Sequence, residues 1–313
     1  MKRIFCCKKL VIALFSAAMV LMPLAASAQS GLQISPVSYD FIIEPGASKD
    51  AKLNIKNLDS SVLNYSLETE LFSEVTEDGA PSFQGVTKPE GVTTLADWIT
   101  FTEPKEGTIP ASDQTDIHFT ISVPVGAEPG GHYAAVFARQ IKKDAQGKTQ
   151  LGVASRVGLL LLVTVPGDIK KSAEITDHSF PSFLLKGPSD FMLKVRNSGS
   201  VHFESDVKVE LKPIIGKSQI VELGKHIVLP DNTRVFKDQW KNKYPFGYYK
   251  IIATATDGDG KLLTIESSLW AIPINIVIPV VILVIILWAL MSYMKSNFKL
   301  VKSKEKEEER PKE

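Results

Sequence analysis

Cysteine is almost missing from this chain of 313 residues. Cys6 and Cys7 are the only two, and both lie in its basic opening stretch. Beyond them no disulfide, Cys-ligated zinc site or thiol nucleophile can form. Histidine is nearly as scarce. His118, His132, His178, His202 and His226 are scattered, none in H-x-x-x-H spacing, and each falls in or beside a strand pattern. A surface or strand-edge role is expected for all five. Helical periodicity of useful length is missing outside two apolar runs. A charge excess is missing too: 36 basic residues face 35 acidic ones. With 44% hydrophobic and 23% charged residues, wholesale disorder is excluded.

Catalytic patterns are also lacking. Ser205-x-x-Lys208 has the S-x-x-K spacing, but it sits in an alternating strand pattern with no S-D-N or K-T-G to accompany it. Asp257-Gly258-Asp259-Gly260 has no later glutamate at calcium-loop distance, Glu266 coming too early, and reads as a hairpin turn. Leu229-Pro230-Asp231-Asn232-Thr233 faintly matches a sortase signal, but it lies far from any apolar segment and reads as a turn. No catalytic residue, cofactor or metal ligand is therefore expected, and an enzyme is the disfavoured class.

The two apolar runs set the topology. Residues 1–28 open with Lys2, Arg3, Lys8 and Lys9, continue in the uncharged run Leu10–Leu24, and close with Ala26-Ser27-Ala28. This predicts a secretory signal peptide cut before Gln29, the alternative being an uncleaved anchor. At the other end no charge appears between Glu266 and Lys295. The 21-residue run Ile274–Met294 would reach about 31 Å as a helix, against a hydrocarbon core of ~30 Å. Trp270, Trp288 and Tyr293 sit near its ends, as interfacial aromatics do. A transmembrane helix over 271–294 is expected, with a buried core helix as the bland alternative. The tail, 295–313, begins with basic residues, so the positive-inside rule places it in the cytoplasm and the N-terminal part outside. Setting aside leader and tail leaves 25 basic against 30 acidic residues, a net of −5, which makes nucleic acid an unexpected partner.

Between these runs the pattern is β throughout. Ala51–Lys56, Asp116–Val123, Asp206–Leu211 and Tyr249–Thr254 alternate apolar and polar residues. Turn residues punctuate them at Pro45-Gly46, Asp78-Gly79, Gly130-Gly131, Asp144–Gly147, Asp231-Asn232 and Asp257–Gly260. The segment repeats. Leu53–Asn57 followed by Asn64-Tyr65 corresponds to Leu193–Asn197 followed by His202-Phe203, each a strand ending in a basic residue and Asn before a turn. Downstream, Pro129-x-Gly131-x-Tyr133 recurs as Pro245-x-Gly247-x-Tyr249. A tyrosine there resembles the tyrosine corner of Ig-like sandwiches. Two tandem Ig-like β-sandwiches follow, over 29–168 and 169–270, with the boundary at Pro166-Gly167-Asp168 after the strand Leu159–Val165. The first carries an extra segment, Ser73–Ala96, rich in Gly, Pro, Thr and Glu. It is expected to be a long hairpin or an excursion between strands, exposed and contributing little core. Trp98 is the most notable aromatic, and a core position is favoured over a ligand platform.

The first of these domains resembles a known family. Ile34–Val37, Pro45-Gly46, the strand ending at Asn57, Asp97–Ile99, Val123-Pro124 and Pro129–Val136 look like the bacterial WxL-interacting surface proteins (domain of unknown function 916 type). In that family the first Ig-like domain is described as peptidoglycan-binding, with a fold similar to the N-terminal domain of pilus chaperones, and the second domain is associated with host-protein binding. The plan of leader, two sandwiches, one helix and a basic tail also matches. Pilus chaperones hold a subunit carboxylate with an early-strand Arg and a late-strand Lys. Here Gln33–Ile43 contains neither, and Arg156 lies in a late strand without that partner.

The expectation is an all-β, single-pass membrane protein of the bacterial cell surface. It binds cell-wall polymer or a neighbouring surface protein through Ig-like domains, with its tail in the cytoplasm. The alternative is a chaperone-like assembly factor that offers a sheet edge to a partner strand. The expected roles are binding in the first domain and lifting it from the membrane in the second. No particular binding residues are singled out.

Overall fold

The structure, a computed structural model, describes residues 31–76, 79–83, 92–141 and 156–297. The expected signal peptide, the Asp144–Gly147 turn, part of the Ser73–Ala96 segment and the tail beyond 297 lie outside the described residues. Chain order begins with β1 (Leu32–Ser35), β2 (Ser38–Ile42), β3 (Ser48–Asn57) and β4 (Leu63–Leu71). A two-residue hairpin, β5 (Glu74–Val75) and β6 (Pro81–Ser82), precedes a single helical turn, α1 (Leu95–Trp98). Then come β7 (Ile99–Phe101), β8 (Glu106–Ile109), β9 (Gln114–Ser122), β10 (Gly130–Ile141) and β11 (Arg156–Val165). A second series runs through β12 (Ala173–Ser179), β13 (Phe183–Leu184), β14 (Ser189–Asn197), β15 (Phe203–Pro213) and β16 (Gln219–Val228). It ends with β17 (Thr233–Trp240), β18 (Gly247–Thr256) and β19 (Leu262–Ala271), which leads into α2 (Ile274–Asn297).

The repeat seen in the sequence is a repeat of topology. The first sandwich has sheets ordered β1-β3-β9-β7 and β2-β11-β10-β4-β8, and the second has β12-β14-β17 and β13-β19-β18-β15-β16. Strand for strand these are the same order, with β7 the one addition. In both, the short second strand runs parallel to the last one, β2 on β11 and β13 on β19. The matched asparagines explain why the sequence signal survived. Asn57 and Asn197 are both fully buried. Asn57 Nδ2 donates to the carbonyls of Ser61, Ile109 and Pro110 while its Oδ1 accepts from Asp59 N. Asn197 Nδ2 donates to Val201 O and Val228 O, and its Oδ1 accepts from Gly199 N. Each side chain thus ties a turn to the neighbouring strand, satisfying carbonyls that would otherwise be stranded in a core.

Alternation places one face of each strand inward, as the sequence predicts. Leu53 and Ile55, and Ile117, Phe119 and Ile121, fill the first core; Val207, Val209 and Leu211 with Ile251, Ala253 and Ala255 fill the second. Each buried Leu, Ile, Val or Phe contributes about 1.5–3 kcal/mol of transfer free energy. The turn-type readings hold as well. Asp257 Oδ1 accepts the amides of Asp259 and Lys261, and Ser205 Oγ donates to Thr256 O within the sheet. Trp98 is buried in the first core.

The described part of Ser73–Ala96 contains the β5–β6 hairpin, one of the two expected forms, but it is not wholly exposed. Leu95 belongs to the core, as does Trp98 just beyond the segment, and Val75 and Phe83 pack against the cluster of Phe72 and Tyr133. The helical turn α1, in which Thr94 N and Oγ1 both donate to Asp97 Oδ2, is too short to show a 3.6-residue period. The C-terminal helix begins at Ile274 rather than 271, because Ala271 is still a rung of β19, paired with Gly247 and fully buried. From there, Ile274–Lys295 is long and apolar enough to cross a membrane, and none of it is buried against the sandwiches.

Candidate functional site

In β10 and β11 alternation gives way to burial on both faces. Tyr133, Ala134, Ala135, Val136, Phe137 and Ala138 of β10 are all buried, as are Leu159, Leu161, Leu162 and Val163 of β11. A strand buried on both faces needs something against its outer face. Here that cover is the second sandwich together with the β5–β6 hairpin. Phe72, Tyr133, Leu162 and Leu229 form a separate apolar cluster, flanked by Val75, Phe83, Leu160 and Ile227.

Polar bonds lock the same seam. Gly131 N donates to Ser200 O at 2.9 Å. Asn232 Nδ2 donates to Ser73 O at 3.0 Å, and Asn232 Oδ1 accepts Val75 N at 3.1 Å. Gly130 has φ +136, and a Cβ there would stand 3.0 Å from Ser200 O, so only glycine allows this approach. At the centre, Tyr133 Oη accepts His202 N at 3.0 Å and lies 3.1 Å from His202 Nδ1, while His202 Nε2 lies 3.1 Å from Asp40 Oδ1. The assignment that satisfies every group has Tyr133 O–H donating to Nδ1 and Nε2–H donating to Asp40. Burial, with the Asp40 charge adding to it, pushes the Tyr133 phenol well above its ordinary 10.0 although the His202 amide bond pulls the other way. Tyr133 is therefore a bolt between domains rather than a tyrosine corner of its own sandwich, and His202 is a buried joint residue rather than a strand-edge one.

Beside the bolt lies a cavity of about 330 Å³, lined by Leu160 and Leu162 on one side and by Lys225, His226 and Arg234 on the other. Burial, then the nearby Arg234 charge, holds the His226 imidazole below its ordinary value. Among the described residues no group of three His, Asp, Glu or Cys side chains could hold a metal ion.

The second feature is a strand edge. Along its inner side β11 pairs with β10 from Arg156 to Val165, but β2 covers its outer side only from Leu160 to Thr164. Leu160 N donates outward to Val37 O, and Thr164 O accepts from Ile43 N. Backbone groups alternate sides along a strand, so Gly158 and Arg156 also aim their N–H and C=O outward. Among the described residues no strand meets them there. The side chains beside this edge are mixed. The Arg156 guanidinium lies 4.2 Å from the Phe137 ring centroid and pairs with Glu70 at 2.6 Å, and Arg139 pairs with Glu68 at 2.7 Å. Sequence reading missed both seam and edge. The lapse of alternation through Tyr133–Ala138 was the available signal for the seam. Nothing in the residues marks where β2 stops.

No protein-family model matches the chain, and no curated protein matches it. Solved structures give looser likenesses. A structure titled as a chaperone–tip adhesin complex of CFA/I fimbriae biogenesis is 11% identical, covering 76% of this chain and 99% of that one, with a TM-score of 0.40. The class 5 fimbriae chaperone CfaA is 14% identical over 76% and 99%, with a TM-score of 0.38. A Salmonella enterica SafA pilin–SafB chaperone structure is 12% identical over 77% and 97%, with a TM-score of 0.35. The two-sandwich description rests on the strand pairings above.

Proposed function

We propose that this is a membrane-anchored protein-binding module whose first sandwich takes up an extended segment of a partner protein along the free edge of β11. The observation that carries this reading is the uncovered stretch Arg156–Leu159, where the outward backbone groups of Arg156 and Gly158 meet no neighbouring strand among the described residues. Unpaired edges are templates for strand addition: main-chain hydrogen bonds supply affinity, and flanking side chains supply selectivity. The partner strand would continue the line of β2, and Arg156 would flank it. The seam packs the second sandwich on the same outer face of β10 and β11, further along the strands, and α2 anchors the whole. The basic start of the tail favours an external ectodomain and a cytoplasmic C-terminus. Binding rather than catalysis is the role this reading assigns, and a protein strand is preferred to cell-wall polymer because the edge is a backbone feature.

The test is site-specific photo-crosslinking in intact cells, from Arg156 and from Val37, with exposed Val125, beyond the opposite end of β10, as the remote control. Discrete protein adducts at the first two sites and none at Val125 are expected. Arg156→Pro, which deletes one outward N–H, should lose the Val37 adduct, whereas Arg156→Ala should keep it. Both variants lose the Glu70 pair, so the difference isolates the backbone donor. Co-purification with cell wall and no protein adduct would replace this reading with polymer binding.

A further inference from the structure

The membrane-proximal end of the second sandwich carries exposed apolar side chains that its core does not use. Three segments meet there. The β13 segment 181–187 runs beside the end of β19: Trp270 N donates to Ser182 O, Ile272 N to Leu184 O and Ile274 N to Leu185 O. The last bond takes up one of the orphan amides at the start of α2, tying the helix to the sandwich. The β15–β16 turn, 213–218, joins through Ile214 N donating to Tyr248 O, and the β17–β18 loop, 241–246, through Lys243 O accepting Gly187 N. Phe183, Leu185, Ile214, Ile215, Tyr244 and Phe246 project from these segments, Ile215 being 91% and Phe246 71% exposed. The same stretches contain Lys186, Lys217, Lys241 and Lys243 and no Asp or Glu.

Apolar tips rimmed by one sign of charge form a contact surface. What faces this one follows from chain continuity. Only Ile272 and Pro273 separate the last rung of β19 from α2, so the loops sit where α2 meets the headgroup layer. Lysine favours anionic headgroups, and aromatic and aliphatic tips favour the acyl boundary. We propose that these three loops form a foot that inserts into the interface of an anionic phospholipid leaflet and sets the ectodomain upright. β15 spans roughly 36 Å at ~3.3 Å per residue, from Phe203 beside the first sandwich to Pro213 at the foot. A seated foot therefore holds the β11 edge at a set height above the bilayer. The inference rests on the reading of α2 as a membrane span.

The test uses the full chain with Cys6 and Cys7 replaced by serine, reconstituted in vesicles. Single cysteines at Ile215→Cys, Phe246→Cys and, as control, Val62→Cys carry an environment-sensitive fluorophore. Val62 precedes Leu63–Asn64, and Asn64 pairs with Ile141 at the far end of β10 from the second sandwich. In vesicles containing phosphatidylglycerol, the labels at 215 and 246 should show blue-shifted emission and quenching by headgroup-proximal lipid nitroxides, and the label at 62 neither. Lys217→Glu/Lys241→Glu/Lys243→Glu should abolish the quenching. A chain that fails to float with vesicles refutes the membrane span and the foot together. One that floats while labels 215 and 246 match label 62 refutes the foot alone. A blue shift without lipid quenching means a protein covers these loops, and equal quenching in phosphatidylcholine that the lysine reversals leave intact means the lipid charge is irrelevant. Either result overturns the proposal.

Discussion

Tyr133→Phe isolates the interdomain bolt. The ring stays, so the Phe72–Tyr133–Leu162–Leu229 cluster keeps its volume and no cavity opens. The hydroxyl goes, and with it the acceptor of His202 N and the partner of His202 Nδ1. An amide left without a partner in a buried seam costs about 1–3 kcal/mol. Taking ~2 kcal/mol, and about 2–4 °C per kcal/mol for a chain of this length, the melting temperature should fall by roughly 4–8 °C. Tyr249 supplies the internal control, since it occupies the same place in the repeated Pro-x-Gly-x-Tyr motif. Its hydroxyl accepts Phe246 N at a long 3.4 Å, and Phe246 is exposed, so water can replace the bond. Tyr249→Phe should cost under about 0.5 kcal/mol. The assay is thermal unfolding of the full chain in micelles by circular dichroism, with hydrogen exchange read at the His202 amide. That amide should exchange faster in Tyr133→Phe alone. Equal losses in the two variants, or unchanged exchange at His202, would refute the bolt.

Alkali should act through the same group. The folded-state pKa of Tyr133 is raised above the ordinary 10.0, so its contribution is fully present below that pH and is lost as pH rises beyond it; a pH titration of stability should steepen above about 10, and Tyr133→Phe should flatten it. Asn57→Ala strands three carbonyls and the Asp59 amide in or near the first core, and should cost about 3 kcal/mol in urea unfolding, with Asn197→Ala matching it in the second. Phe72→Ala, at the heart of the seam, should cost about 3–5 kcal/mol and separate the unfolding of the two sandwiches into distinct calorimetric transitions; a single unshifted transition would show that the seam couples nothing.

Much of this architecture follows from local pattern. Alternation over Asp116–Val123 or Asp206–Leu211 orients each strand, because a side chain's face depends only on parity along the chain. The repeat was legible because Asn57 and Asn197 perform the same buried bonding, which few other residues can perform. The apolar run before Lys295 is readable because length and composition alone decide whether a helix can span a bilayer. The joint required the fold. Asp40, Tyr133 and His202 are far apart in sequence, and no parity or period relates them; only the packing of β2 and β10 against the turn before β15 brings them within hydrogen-bond reach. The stretch Arg156–Leu159, which no strand among the described residues covers on its outer side, and the gathering of three lysine-bearing loops beside α2 are likewise matters of register. They depend on where β2 stops along β11 and on which hairpin ends share a side of the second sandwich. Hydrogen-bond partners across a sheet are chosen by the whole assembly, so those features exist only in three dimensions.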